Sequence, residues 1–190
     1  MSINIKNLTL GGCCAIALSL GFTIDAQADG PYGFGSAASA ADIAKIDIDV
    51  MPDGRGAPSG SGTYAQGKKV YADKCSACHG ADMAKPVKGT GAAPLRGGRG
   101  TLTSGKPKKT VESYWPYATT LFDYTKRAMP FNEPGSMNNN DIYAVVAYIL
   151  AEGGIINKKT TMNAKALAKV KMPNRNGFIS DPRPDIFNYN

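Results

Sequence analysis

The feature that most constrains this chain is the run Cys75-Ser76-Ala77-Cys78-His79, which contains its only histidine. The other two of the four cysteines, Cys13 and Cys14, lie in an apolar segment near the N-terminus. A redox disulfide would need a βαβ context, and a zinc site would need further Cys or His ligands. The sequence shows no βαβ pattern, and Cys13 and Cys14 belong to a segment that is expected to be removed on export. The run instead has the C-x-x-C-H spacing that attaches haem covalently.

The chemistry of that attachment gives each of the three residues a role. The thiols of Cys75 and Cys78 lie on one turn of chain, where they can add to the two vinyl groups of one haem. The imidazole of His79 is then placed beneath the iron as its proximal ligand. Because the run occurs once, the sequence predicts one covalently bound haem c.

The second axial ligand of the iron has to come from another part of the chain. There is no second histidine, and no further thiol remains in the mature chain expected after removal of residues 1–28, so the sequence leaves a methionine or an open position. Met129 is the favoured candidate, because Pro130 restricts the backbone directly after it and stops a helix from continuing. Met137 is the alternative, whereas Met83 is too near the attachment run to reach the opposite haem face. Histidine–methionine ligation closes the iron to substrates and suits electron transfer.

The N-terminus has the features of a cleaved export signal over residues 1–28. Lys6 is the only early charge, residues 8–24 are largely apolar, and Ala26-Gln27-Ala28 is a small-x-small cleavage site. We therefore expect a periplasmic protein whose mature chain begins at Asp29. A lipoprotein signal at Cys13 and an uncleaved anchor are the alternatives.

The charge of the chain limits its partners. A formal net charge of +7 attracts acidic proteins or anionic surfaces. The basic residues are single or in short pairs and no nucleic-acid-binding motif occurs, so we expect no nucleic-acid partner. The N-terminal apolar run is too short and glycine-rich for stable membrane insertion.

Hydrophobic periodicity and turn residues predict an all-α fold with three main helices. These are predicted over 62–72, over 115–127 with Pro116 in the first turn, and from a cap at Asn139 or Asn140 to a stop at Gly153-Gly154. Short helices are expected at 40–46 and 164–170, and no strand pair is expected. The segment 80–107 is predicted to be a long loop, which a haem would organise.

This order of helix, C-x-x-C-H, loop, helix, Met-Pro and final helix resembles class I cytochromes c. The resemblance implies three main helices around one haem, with long loops and extensions at both ends. It implies a close crossing of the first and last helices over Gly67 and Tyr71, with Val145 and Tyr148 as partners. It also implies that the carbonyl of Pro94 accepts the proton of the ligating His79.

Several blocks are also similar to the cytochrome subunit of sulfane (sulfite) dehydrogenase, from the Sox system of thiosulfate-oxidising bacteria. The most specific are Tyr-Trp-Pro-Tyr-Ala at 114–118 and Met-Pro-Asn-Arg-Asn-Gly-Phe at 172–178. In that family the cytochrome accepts electrons from a molybdenum-cofactor subunit that oxidises a sulfur substrate. The resemblance implies such a partner, and we expect a single-haem version of the family.

The remaining predictions concern haem contacts and domain boundaries. Arg96, Arg99 and Trp115 are candidate hydrogen-bond partners of the haem propionates, with solvated surface charges as the alternative for the two arginines. We expect an N-terminal extension at 29–60, a cytochrome c domain at 61–156 and a C-terminal extension at 157–190.

The predicted function is electron transfer, with no catalytic residue. The chain is expected to serve a sulfur-oxidising dehydrogenase. The alternative is a free-standing carrier that feeds a terminal oxidase or another redox partner. A haem enzyme or gas sensor would need an open sixth position, which a methionine ligand would close.

Overall fold

The structure, a computed structural model, describes residues 35–179 in two compact units divided between Ile46 and Asp47. The predicted signal peptide and the last residues of the chain lie outside this range. The first unit contains helix α1 (Ala40–Ile46), at the predicted position and without a buried residue. The elements described below belong to the second unit, which begins at Asp47.

Helix α2 (Tyr64–Lys74) begins slightly later than predicted, because its cap is Thr63. The Thr63 hydroxyl accepts from the backbone N–H of Gln66, and the Gln66 side chain accepts from the N–H of Thr63 at 2.9 Å. This reciprocal capping box satisfies two donors that the helix cannot satisfy itself. The helix leads directly into the short helix α3 (Ser76–His79).

Helix α4 (Ala118–Ala128) begins later than the predicted 115, and Pro116 lies before it. A residue that precedes proline is disfavoured in the helical region, which applies to Trp115. Tyr117 is also extended, with φ −135° and ψ 135°. The prediction that placed Pro116 in the first helical turn was therefore wrong.

Helix α5 (Asn139–Glu152) is the centre of the core, with every residue from Ile142 to Ala151 buried. Its cap is Asn138, whose side chain accepts from the N–H of Asp141 at 3.0 Å, so the predicted caps were wrong. The side chains of Asn139 and Asn140 instead bond to the backbone of Ser59 and Ser61. Gly153 follows the helix, as predicted.

Helices α2 and α5 cross at Gly67, where a Cβ atom would overlap the carbonyl of Ala144 and the side chain of Tyr148. One turn later, the rings of Tyr71 and Tyr148 lie 5.4 Å apart. The predicted crossing is confirmed at Gly67, Tyr71 and Tyr148. The atoms nearest to the missing Cβ belong to Ala144, however, and not to the predicted Val145.

A two-stranded antiparallel sheet, which was not predicted, joins residues on either side of these helices. Strand β1 (Ser61–Gly62) pairs with β2 (Met162–Asn163), in the register Ser61 with Asn163 and Gly62 with Met162. Helix α6 (Ala164–Ala168) follows, shorter than predicted. No helix within residues 35–179 is both long and apolar enough to cross a bilayer.

Candidate haem site

The attachment residues share a single turn of chain. The backbone N–H groups of Cys78 and His79 both donate to the carbonyl of Cys75, at 3.1 and 2.9 Å. Both cysteines are free thiols, Cys75 half-buried and Cys78 exposed. The turn therefore presents two thiols and an imidazole together, which is the donor set that haem c requires.

The Cys75 thiol does not have the character of a redox thiolate. Burial raises its pKa to about 11, whereas reactive cysteines in C-x-x-C motifs have lowered pKa values. Within residues 35–179 no three His, Cys, Asp or Glu side chains converge to hold a bare metal ion. Both observations favour covalent haem attachment over a disulfide or zinc.

The His79 ring is oriented by a backbone carbonyl. Its Nδ1 atom lies 2.9 Å from the oxygen of Ala93, and not from that of Pro94 as the family resemblance implied. Pro94 acts on its neighbour, because it restricts Ala93 to extended conformations. The N–H groups of Leu95 and Arg96 also bond to the carbonyl of Met83, at 2.8 and 3.2 Å, which anchors the chain beyond Pro94. With Nδ1 engaged, Nε2 is the nitrogen left to bind a metal.

The attachment turn is also tied to α2. The Tyr71 hydroxyl donates to the carbonyl of Gly80 at 2.7 Å, and burial raises the pKa of this phenol well above its usual value. Gly80 has a positive φ of 77°, and a Cβ there would overlap the carbonyl of Lys85. These contacts fix where the chain leaves His79.

The segment after the turn is a long loop, as predicted. No helix or strand occurs between Gly80 and Tyr117. A loop of this length in a compact unit indicates something that organises it, and a haem is large enough to do so.

Met129 directly follows α4 as its C-terminal cap, and its N–H donates to the carbonyl of Thr125 at 3.2 Å. Its side chain is half-buried, and the Met129–Pro130 peptide is cis. Met137 and Met83 are instead core residues, 8% and 1% exposed. Of these three methionines, Met129 is the one that is not buried in the core.

The two arginines predicted to contact the haem propionates already contact carboxylates of the protein. Arg99 pairs with Glu112, with Nε 2.8 Å from Oε1, and also donates to the carbonyl of Gly153. Arg96 lies 3.6 Å from Glu152. The structure thus brings both arginines to the end of α5. Their contact with propionates stays a prediction.

Trp115 is half-buried, and its ring meets Tyr124 edge-on with centroids 5.9 Å apart. Its role as a propionate donor also stays a prediction.

The C-terminal segment contributes contacts that sequence reasoning missed. Residues 173–179 are mostly exposed, as expected of a surface segment, but Met172 is only 3% exposed. Asn174 donates to the carbonyl of Tyr114 at 2.7 Å, and Phe178 packs edge-on against the Tyr114 ring. The Arg175 guanidinium lies over the ring of Tyr117. The two family blocks at 114–118 and 172–178 are therefore in contact. The presence of both blocks in one sequence was the feature from which this contact could have been predicted.

An all-α fold with a C-x-x-C-H turn and a carbonyl-oriented histidine defines a c-type cytochrome of class I, an electron-transfer protein with covalently bound haem c. A family model described as Cytochrome c matches residues 64–152. The chain belongs to the cytochrome c family.

Two relatives refine this assignment. A chain of the sulfane dehydrogenase SoxCD from Paracoccus pantotrophus is 37% identical with a TM-score of 0.72, over 83% of this chain and 75% of that chain. A thiosulfate dehydrogenase of Stutzerimonas stutzeri (strain A1501) is 29% identical over 93 residues. That match spans 48% of this chain but only 28% of the relative's length. The protein is thus a class I cytochrome c related to the Sox group.

Proposed function

We propose that this cytochrome is the electron-accepting subunit of a periplasmic, molybdenum-dependent dehydrogenase that oxidises sulfane or sulfite sulfur. The observation that carries the proposal is the similarity to a SoxCD chain over 83% of this chain. The family model covers only residues 64–152, so the similarity extends well beyond the haem-binding region. A generic carrier would be expected to share only that region.

The residues of the site would bind a haem whose iron gains or loses one electron at a time. When bound, the haem iron supplies a centre that gains or loses one electron without bond breaking. Cys75 and Cys78 would hold it covalently, and His79 would bind it through Nε2. Met129 would be its second ligand, because it is half-buried and follows a helix end, whereas Met137 is already packed in the core. Pro94, through Ala93, fixes the imidazole ring.

Export supports the assignment but rests on residues outside the described range. We propose cleavage after Ala28 and a periplasmic mature chain with an extension up to residue 60, a cytochrome domain at 61–156 and a C-terminal extension. N-terminal sequencing of the exported protein tests the cleavage site. An N-terminus other than Asp29, or a lipid-modified Cys13, contradicts it.

The axial ligand is tested by absorbance spectra of the purified, exported protein, oxidised and reduced. Wild type is expected to show a weak far-red band in the ferric state, and Met129→Ala is expected to lose it. Met137→Ala is the matched control and should keep the band. A band that survives in Met129→Ala contradicts the assignment.

The partner is tested by rapid mixing with a sulfur-oxidising molybdenum dehydrogenase subunit and its sulfur substrate. Reduction of the haem only when both are present supports the proposal. Failure to be reduced, together with fast electron exchange with a terminal oxidase, favours the free-standing carrier instead. The net charge of +7 is the observation that supports that alternative, because it would steer the protein to an acidic acceptor.

A further inference from the structure

The end of α4 that carries Met129 is tied to a segment far away in sequence. We call residues 48–50 the strap. The N–H of Val50 donates to Oδ1 of Asp123 at 3.0 Å. The ammonium of Lys126 also lies 3.4 Å from the carbonyl of Ile48. Val50 itself is 6% exposed and belongs to the hydrophobic core, so the strap is an anchored segment.

Asp123 is the residue on which these contacts converge. Its second oxygen, Oδ2, accepts from Nε of Arg127 at 3.1 Å, one turn later on the same helix. Arg127 also reaches back to Asp49 of the strap, at 3.3 Å. The Asp123 side chain is only 13% exposed, against 48% for Arg127 and 56% for Asp49. A carboxylate so well covered needs its partners, and here they are the strap and the last turn of α4.

These contacts act where a helix is usually weakest. The last carbonyls of a helix lack intrahelical partners, and the last turn opens readily. The positive charges of Lys126 and Arg127 in that turn interact favourably with the helix dipole, and both side chains contact the strap. Met129 lies two residues after Arg127, and its backbone N–H donates to the carbonyl of Thr125 in the same turn. The Asp123 contacts therefore hold the same last turn of α4 to which the Met129 backbone is hydrogen-bonded.

We propose that Asp123, through Arg127 and the strap, is a positioning residue that holds the Met129 thioether on the haem iron. The inference rests on the proposed ligation by Met129. If the last turn of α4 is released, Met129 should leave the iron more readily, although the helix and the attachment turn remain.

The test measures how easily an added ligand displaces the methionine. Imidazole binds ferric haem only at the position that Met129 would occupy, so its apparent affinity reports the strength of methionine binding. Asp123→Ala is expected to bind imidazole about tenfold more tightly than wild type and to have a weaker far-red band, because a charge-assisted hydrogen bond and an ion pair are both lost. Asp123→Asn, which keeps an acceptor for Val50, should fall between the two. Asp47 is an exposed carboxylate just before the strap, so Asp47→Asn is the control for loss of one negative charge. This variant should bind imidazole with the affinity of wild type.

A second variant separates positioning from general loss of stability. In a Met129→Ala background there is no thioether to hold, so adding Asp123→Ala should leave imidazole affinity unchanged. An affinity that rises equally in both backgrounds overturns the inference, as does an Asp123→Ala protein that binds imidazole like wild type. If Met129→Ala itself keeps the far-red band, the ligand assignment is what fails. If the Asp123→Ala protein does not accumulate, Asp123→Asn replaces it in both backgrounds. The inference is then overturned if Asp123→Asn and wild type, which both keep Met129, bind imidazole with equal affinity.

Discussion

The Nδ1 atom of His79 lies 2.9 Å from the carbonyl oxygen of Ala93, the residue that Pro94 restricts to extended conformations. A hydrogen bond to this nitrogen makes the other nitrogen a stronger donor to iron. Stronger donation by the imidazole favours the ferric state. The reduction potential of the haem should therefore depend on Pro94, which acts on His79 through the backbone of Ala93.

Pro94→Ala is expected to raise the reduction potential, because Ala93 gains conformational freedom and its bond to His79 weakens. Potentiometric titration of the purified protein measures this. Pro107→Ala changes an exposed proline of the same loop and should leave the potential unchanged. A potential for Pro94→Ala equal to that of wild type would show that the loop holds Ala93 without the proline.

Gly67→Ala is expected to destabilise the protein by about 3 kcal/mol, at the upper end of the usual cost of overpacking. The added Cβ would overlap the backbone of Ala144, which cannot move without separating α2 from α5. Denaturant unfolding followed by circular dichroism gives the free energy of unfolding. Gly105→Ala is the matched control, because nothing lies within 4 Å of a Cβ placed there. A loss of less than 0.5 kcal/mol or so at Gly67 would mean that the crossing is looser than described.

The free energy of unfolding should fall in acid, in part because Glu152 becomes protonated. Hydrogen bonds from Lys158 and then from the Tyr64 hydroxyl hold the pKa of this carboxyl below its ordinary value of 4.5. A carboxyl with a lowered pKa in the folded state contributes stability above its unfolded pKa, and this contribution is lost as the pH falls through the folded value.

Glu152→Gln should therefore flatten the pH dependence of stability. As the pH falls from about 6 to about 3, the free energy of unfolding should decline less in the variant than in wild type. Thermal unfolding at several pH values measures the difference. Glu133→Gln removes an exposed carboxylate and should retain the wild-type slope. Parallel curves for Glu152→Gln and wild type would contradict the role given to Glu152.

Thr119→Val is expected to raise the free energy of unfolding by about 1 kcal/mol, because it removes a hydroxyl whose burial is uncompensated. The Thr119 Oγ1 atom is buried without a hydrogen-bond partner among the described residues. Valine has nearly the same shape as threonine, whereas Thr119→Ala leaves a void and should destabilise. Thermal unfolding of the three holoproteins ranks them. If Thr119→Val is the less stable protein and its haem spectrum shifts, the hydroxyl has a partner in the haem-loaded state.

Local signals in the sequence predicted most of the attachment site. Cys75, Cys78 and His79 are adjacent in the chain, and the predicted helices before and after them exist with small shifts. The shifts have local causes. Three consecutive asparagines, residues 138–140, lie at the start of α5, each of a type able to cap it. Asn139 and Asn140 instead contact the backbone of residues 59–61, and Asn138 is the cap.

Contacts between distant residues were beyond sequence reasoning. Nothing local to Asp123 indicates that it accepts from Val50, 73 residues earlier. The pairing of β1 with β2 involves two residues on each side, too few to leave a pattern of alternation. The acceptor for His79 was missed by one residue, because a carbonyl group has no signature in the side-chain sequence.

The pairing of β1 with β2 has a practical consequence. It brings Ser61 and Asn163 side by side, and neighbouring strands lie about 4.8 Å apart. The haem-binding stretch between them therefore starts and finishes at nearly one point in space. Residues on both sides of this stretch still pack against it, Val50 through Asp123 and Asn174 through the carbonyl of Tyr114. A unit spliced into a surface loop of an unrelated host would therefore have to run from the strap to Phe178, with the strand pair closing its inner loop.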